Sequence, residues 1–435
     1  MSKVAPDCFP VEVRGSARRP LGMAPTRFLR DYWQKRPLLI RDAFDDFVPS
    51  LSPDDLAGLA CTEDALSRIV LREHPPSSSF RGRAQRGARN PALAPTQKLD
   101  CGSPLRGLRN DEKWTVRGGP FQESDFSKLP RSHWTLLVQD VDKWDADVAA
   151  LLDHFDFLPS WRIDDVMVSY ATDGGGVGAH VDQYDVFLLQ GMGQRRWRID
   201  TDPRAPRDFR DDVDLKLLRG FRPTHEWALD PGDMLYLPPG VPHEGVAIGE
   251  CMTFSIGMRA PSSAELLVAF AEQVAAGQPE SLRYSDPDLE TANECGEIDD
   301  DALHRARVAL GAAAQMMDAE TLADFFGRFI TAYRSVHALL PPKRKTSAEK
   351  LAAELPRSTF QSNPWSRFAW RRTGGGAVLY ASGEQYDCPL AWARVLCKHG
   401  RALEGAQLAK LPSRGEGVKL LTDLINAGDL SRKPR

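Results

Sequence analysis

Hydrophobic and polar positions change their period three times along the chain, and the changes divide it. Residues 25–33 place apolar side chains at helical spacing behind Thr26, a candidate N-cap, and 37–41 follow as a short apolar strand. A second helix is predicted at 52–60 and a strand at 69–71. Residues 134–141 read as a strong strand and 145–155 as an amphipathic helix. From 166 to 257 the pattern is that of short strands between Gly/Pro turns: 166–171, 179–184, 186–190, 194–199, 234–237, 243–247 and 251–257. Such a run suggests a jelly roll, to which the earlier strands add. Beyond Pro261 the period becomes helical, over 264–276, 301–316 and 319–335. After the linker 341–345 the chain mixes helices at 390–399, 404–409 and 416–427 with a strand at 376–381.

The expected fold is therefore α+β: a jelly-roll domain over 1–261, a helical region over 262–340 and a C-terminal domain over 341–435. Residues 75–110, rich in Pro, Ser, Gly and Arg and without apolar period, are expected to form a mobile surface insertion. No apolar run is long enough for a membrane helix, and residues 1–20 contain no secretory leader, so no membrane partner and a cytoplasmic location are expected. Seven scattered cysteines without a CxxC argue for reduced thiols.

Charge adds an asymmetry. Residues 341–435 carry 17 Lys and Arg against 8 Asp and Glu, which leaves −13 on the remainder of a chain of net −4. An acidic body suits a basic partner, and the basic tail, like the arginines of the insertion, suits a contact with RNA.

The chemistry concentrates after Gly174-Gly175-Gly176. His180-x-Asp182 projects an imidazole and a carboxylate to one side of an extended chain, and His243 follows a Pro/Gly turn. Two His and one carboxylate with positions left open form the ligand set of non-haem iron(II) oxygenases, so His180, Asp182 and His243 are the candidate metal ligands and catalytic centre. Residues 186–190 are read as turning at Gly191-Met192-Gly193 and returning over 194–199. On the return, Arg195 shares the inward face of Trp197 and Ile199. A buried guanidinium needs an anion, and the distal carboxylate of 2-oxoglutarate would supply one. Ser169 is placed to donate to the same carboxylate. Asp173, Tyr184 and Asp185 flank the metal ligands and offer carboxylates and a phenol to a cationic substrate side chain.

These residues also carry a resemblance. His180-Val181-Asp182-Gln183-Tyr184-Asp185-Val186-Phe187, the Arg195-Arg196-Trp197-Arg198 return, His243 and the start Phe28-Leu29-Arg30-Asp31-Tyr32-Trp33 occur together and in order. In this the chain resembles the bacterial Jumonji-C (cupin-like) ribosomal oxygenases, and among them the branch that hydroxylates an arginine of large-subunit ribosomal protein 16. The resemblance runs from about residue 20 to the C-terminus and departs at the insertion. It implies iron(II) at His180, Asp182 and His243, 2-oxoglutarate at Arg195 and Ser169, dioxygen as co-reactant, a helical dimerisation region giving a homodimer, a C-terminal winged-helix domain and a basic ribosomal protein as substrate. The alternatives are a histidyl or lysyl hydroxylase of the same class, or a cupin or regulator that holds metal without oxygen chemistry.

Overall fold

A computed structural model of the chain describes residues 11–73, 113–281, 283–287, 289, 298–314, 318–332, 339–398 and 402–433. The 75–110 insertion lies outside the described residues. Two compact units emerge, Met1–Asp140 with Val166–Ile256 and Val141–Asp165 with Gly257–Arg435.

The first unit is built on a ten-stranded sheet. Its strands are β1 (Glu12–Arg14), β2 (Leu38–Arg41), β3 (Ser67–Glu73), β4 (Lys113–Gly118), β5 (Trp134–Val138), β6 (Ile163–Ala171), β7 (Val186–Ile199), β8 (His225–Leu229), β9 (Met234–Leu237) and β10 (His243–Met258). They pair in the order β1-β2-β9-β7-β10-β6-β5-β3-β4, with β8 on β7. β9 is buried along its whole length, as its unbroken apolar sequence requires. The helix Pro25–Asp31 closes this region: Phe28, fully buried, meets Tyr236 edge-on at 4.9 Å and Phe187 at 5.7 Å. Burying such a ring contributes about 2–3 kcal/mol.

The structure corrects two sequence expectations here. No hairpin forms at Gly191-Met192-Gly193; β7 runs through it as one strand of 14 residues. Its first half pairs with β9 and its second with β8, so the strand changes partners at the glycines. Their role is close approach rather than a turn. A Cβ at Gly191 would lie 2.5 Å from the Phe254 ring, and one at Gly193, where φ is +60°, would lie 2.0 Å from the Glu250 carbonyl. Likewise 243–247 and 251–257 are one continuous strand, β10.

In the second unit the predicted helices appear as Ser263–Ala276, Asp300–Ala314 and Ala319–Thr331. The last packs on the C-terminal domain: a Cβ at Gly327 would lie 2.4 Å from the Tyr380 ring, and Tyr380 Oη donates to Asp324 at 2.9 Å. That domain holds two three-stranded sheets, in the orders β15-β11-β16 and β12-β13-β14, from β11 (Thr359–Ser362), β12 (Phe368–Arg372), β13 (Ala377–Ala381), β14 (Glu384–Cys388), β15 (Leu403–Glu404) and β16 (Leu430–Arg432). β13 alone was legible as a strand. The others are short and mostly half-polar; β14 is set by the hairpin at Ser382 and Gly383, with φ of +50° and +87°. Trp392, Leu351, Phe360, Leu379, Leu421 and Leu424 form the domain's core.

Candidate active site

His180 and His243 come together through the backbone. The strand expected at 179–184 does not form; His180 sits in a single antiparallel bridge with His243, N–H to carbonyl at 3.0 Å in both directions. Gly240 N donates to the Asp182 carbonyl at 2.8 Å and fixes the next residue but one. The three groups are thus brought together by a bridge and a loop hydrogen bond, not by alternation along the expected strand. Asp182 Oδ2 lies 3.9 Å from His180 Nε2 and 3.6 Å from His243 Nε2, and the three ligand atoms all fall within 4.8 Å of one another. No other group of His, Cys, Asp and Glu among the described residues offers a comparable metal site.

Hydrogen bonding sets the tautomers. His180 Nδ1 faces the Gly178 carbonyl at 2.9 Å, and His243 Nδ1 faces the Val241 carbonyl at 2.9 Å. A carbonyl only accepts, so each Nδ1 carries the proton and each Nε2 keeps a lone pair for a metal. His243 is buried, and burial, with the neighbouring His180, pushes its pKa down to about 4. It is thus neutral at physiological pH, the form that ligates. The donor set of two imidazole nitrogens and one carboxylate fits iron(II).

The alternation read on the second half of β7 holds: Arg195, Trp197 and Ile199 are buried while Arg196 is exposed. The Trp197 ring lies 5.4 Å from the Arg195 guanidinium and 6.0 Å from the His243 ring, so one indole separates the cation from the metal ligands. Arg195 is 4% exposed, and among the described residues no carboxylate pairs with it. Its Nη1 donates to Ser169 Oγ at 3.0 Å and Thr253 Oγ1 at 3.2 Å, while its buried Nε has no partner. Burial pushes its pKa down. A guanidinium held this way, bonded only to neutral hydroxyls, fits a ligand carboxylate.

Ser169, expected to donate to the co-substrate carboxylate, accepts from Arg195 at 3.0 Å and points its own hydroxyl at the Thr253 carbonyl, 3.4 Å away. Asp173 is exposed at the end of β6, and its Oδ1 accepts from Gly249 N at 2.9 Å. Tyr184 is 42% exposed. Asp185 is a correction. It is fully buried and accepts from Tyr236 Oη at 2.7 Å and Gln34 Nε2 at 2.9 Å, so its carboxylate serves the interior and does not face a substrate. Sequence reasoning missed Thr253 and Gln190, which stand on different strands and belong to no motif, and the 201–224 loop. Leu218 N in that loop donates to the Ala179 carbonyl at 2.8 Å, next to His180.

Comparison with known proteins agrees with this geometry. A JmjC domain model matches residues 150–266 and a ROXA-like winged helix model residues 314–431. The chain is 32% identical over 407 residues to the ribosomal protein uL16 3-hydroxylase of Escherichia coli (strain K12), covering 92% of this chain and 95% of that protein. A probable ribosomal oxygenase of Haemophilus influenzae is 35% identical over 62% of this chain and 56% of its own length. Among solved structures, E. coli ycfD superposes with a TM-score of 0.74 at 31% identity, over 94% of this chain and 98% of that one. Its complex with cobalt and 2-oxoglutarate gives 0.71 at 30% identity, over 95% and 99%. The expected jelly roll followed by a winged helix is borne out.

Proposed function

The chain belongs to the JmjC-domain ribosomal oxygenases, and on that premise we propose that it is an iron(II)- and 2-oxoglutarate-dependent dioxygenase that hydroxylates an arginine of large-subunit ribosomal protein uL16. The observation that carries the reading is Arg195, a buried cation that meets no anion among the described residues, one indole from the His180–Asp182–His243 set.

In this reading His180 Nε2, Asp182 and His243 Nε2 hold the iron. Bound there, iron with 2-oxoglutarate and dioxygen would supply the oxidation that places an oxygen atom on a substrate C–H bond. The chain's residues orient and shield. The Nδ1–carbonyl bonds keep both imidazoles aimed, Arg195 takes the distal carboxylate of 2-oxoglutarate, and Ser169 steadies that guanidinium. Asp173 and Tyr184, both exposed, are proposed to meet the substrate guanidinium, a carboxylate and an aromatic face suited to a planar cation. The −13 outside the last 95 residues would speed encounter with a basic protein.

Two further parts of the reading have support of their own. Leu267 and Val268 on helix Ser263–Ala276 and Leu303 and Leu310 on helix Asp300–Ala314 are more than half exposed, which supports a homodimer through this region. The basic tail supports a contact with ribosomal RNA, and a ribosomal target supports a cytoplasmic location. The test is incubation with iron(II), 2-oxoglutarate and uL16 peptides bearing Arg, Lys or His at the target position. A gain of one oxygen on the Arg peptide alone is expected. Oxidation of the Lys or His peptide instead overturns the arginine assignment, and oxidation of none overturns the substrate.

A further inference from the structure

We propose that Gln190 and Thr253 are positioning residues for the co-substrate. A one-way chain of hydrogen bonds through them turns the Arg195 guanidinium so that its Nε/Nη2 edge receives the distal carboxylate. The inference rests on the co-substrate reading of Arg195.

The direction of the chain follows from atoms whose roles are fixed. Gln190 is fully buried, and its Nε2 lies 2.8 Å from the Met192 carbonyl and 3.2 Å from the Gly193 carbonyl. Both partners only accept, so this end of the amide is the NH₂ group and the other end is the carbonyl oxygen. That oxygen, Oε1, lies 3.0 Å from Thr253 Oγ1, so the single hydroxyl hydrogen of Thr253 points to Gln190. The lone pairs of Thr253 are then left for Arg195 Nη1, at 3.2 Å. Nη1 has two hydrogens, and Ser169 Oγ at 3.0 Å takes the other.

With Nη1 spent, the guanidinium has one remaining fork, Nε–H beside an Nη2 hydrogen, and neither atom makes a protein hydrogen bond among the described residues. Parallel N–H bonds from such an edge match the two oxygens of a carboxylate. Space beside it depends on Gly245, whose Cβ, if present, would lie 3.0 Å from Nε and 2.8 Å from the Trp197 ring. The same Gln190 pins the carbonyls of Met192 and Gly193, where β7 changes partners two residues before Arg195. One side chain thus fixes both the backbone that leads to the cation and the rotation of its head group.

Calorimetric titration of the cobalt(II)-loaded full chain with 2-oxoglutarate tests this, alongside steady-state kinetics with iron(II). Thr253→Val keeps the volume and removes the hydroxyl. It should weaken 2-oxoglutarate binding and raise its KM about tenfold, the worth of a hydrogen bond to a charged group, with kcat and metal affinity within about twofold of wild type. Thr253→Ser should restore binding. Gln190→Met should match Thr253→Val, and the double variant should be no worse than either, because the two act in one chain. Unchanged binding in Thr253→Val, or equal loss in Thr253→Ser, overturns the inference. If circular dichroism shows Thr253→Val unfolded, Gln190→Met alone decides by the same criterion. Arg195→Met separates the layers. If it binds 2-oxoglutarate as well as wild type, the co-substrate reading falls; if it abolishes binding while Thr253→Val does not weaken it, only the positioning chain falls.

Discussion

Replacing Arg195 with Met should move stability and ligand binding in opposite directions. The native side chain is 4% exposed, and among the described residues it bonds only to the hydroxyls of Ser169 and Thr253. Replacing a buried ion pair by apolar side chains is often neutral or gains about 1–4 kcal/mol, and a lone buried charge, with no partner's attraction to lose, falls in the same range or above. Losing the two hydroxyl contacts returns about 1–2 kcal/mol of that, since Thr253 keeps Gln190 and Ser169 keeps the Thr253 carbonyl. The ligand-free melting temperature should therefore hold or rise by about 2–4 °C for each net kcal/mol gained. Binding should suffer, because the co-substrate's distal carboxylate enters a dry site without a counter-charge, at a cost of roughly 2–5 kcal/mol or about 30- to 5000-fold. Thermal denaturation with and without 2-oxoglutarate reads both effects in one experiment: a higher baseline, and a ligand-induced shift that disappears. A variant that melts far lower while retaining the full shift would refute the account of Arg195 as an unpaired cation awaiting its ligand.

Other outcomes follow from the same geometry. Asp182→Ala should abolish turnover and weaken iron(II) binding while circular dichroism stays native, because the histidines are held by backbone bonds; normal metal binding would misplace the site. Gly193→Ala forces a Cβ to 2.0 Å from the Glu250 carbonyl at a φ of +60°, and should cost about 2–4 kcal/mol in urea denaturation; a loss below about 1 kcal/mol would mean that β10 yields easily. Asp429 is buried against Ser366 and Ser382, and burial pushes its pKa up. The stability that its proton confers is full below the unfolded carboxylate pKa of about 4 and is lost as pH rises through the folded one. Asp429→Asn should remove that fall, and parallel stability–pH curves for the two proteins would count against it.

Much of the site was legible because its chemistry is written in short spacings. His180-x-Asp182 and the later His243 announce a ligand set, and the alternation Arg195-Arg196-Trp197-Arg198-Ile199 turns one arginine inward whatever the strand's partners. Glycine was harder to read. Gly191 and Gly193 look like a turn, yet they mark where Phe254 and the Glu250 carbonyl come close, and that neighbour lies some sixty residues downstream. Asp185 misled for a related reason. Beside the metal ligands in sequence, it is claimed by Tyr236 and Gln34 from other elements. Gln190 and Thr253 meet only after β7 and β10 pair, so no local pattern announces them.

The rung that joins His180 to His243 is made of main chain alone. No substitution of either imidazole except by proline, which lacks the N–H, removes its two hydrogen bonds, so the scaffold's shape and its ligand set are inherited separately. A lineage can exchange a histidine for another residue, lose oxygen chemistry, and still keep the buried Arg195 cation beside Trp197. Such a descendant would fold as before and retain a buried guanidinium without a reaction. Drift from catalyst to binder on this frame is therefore a matter of one codon, and the return path is just as short.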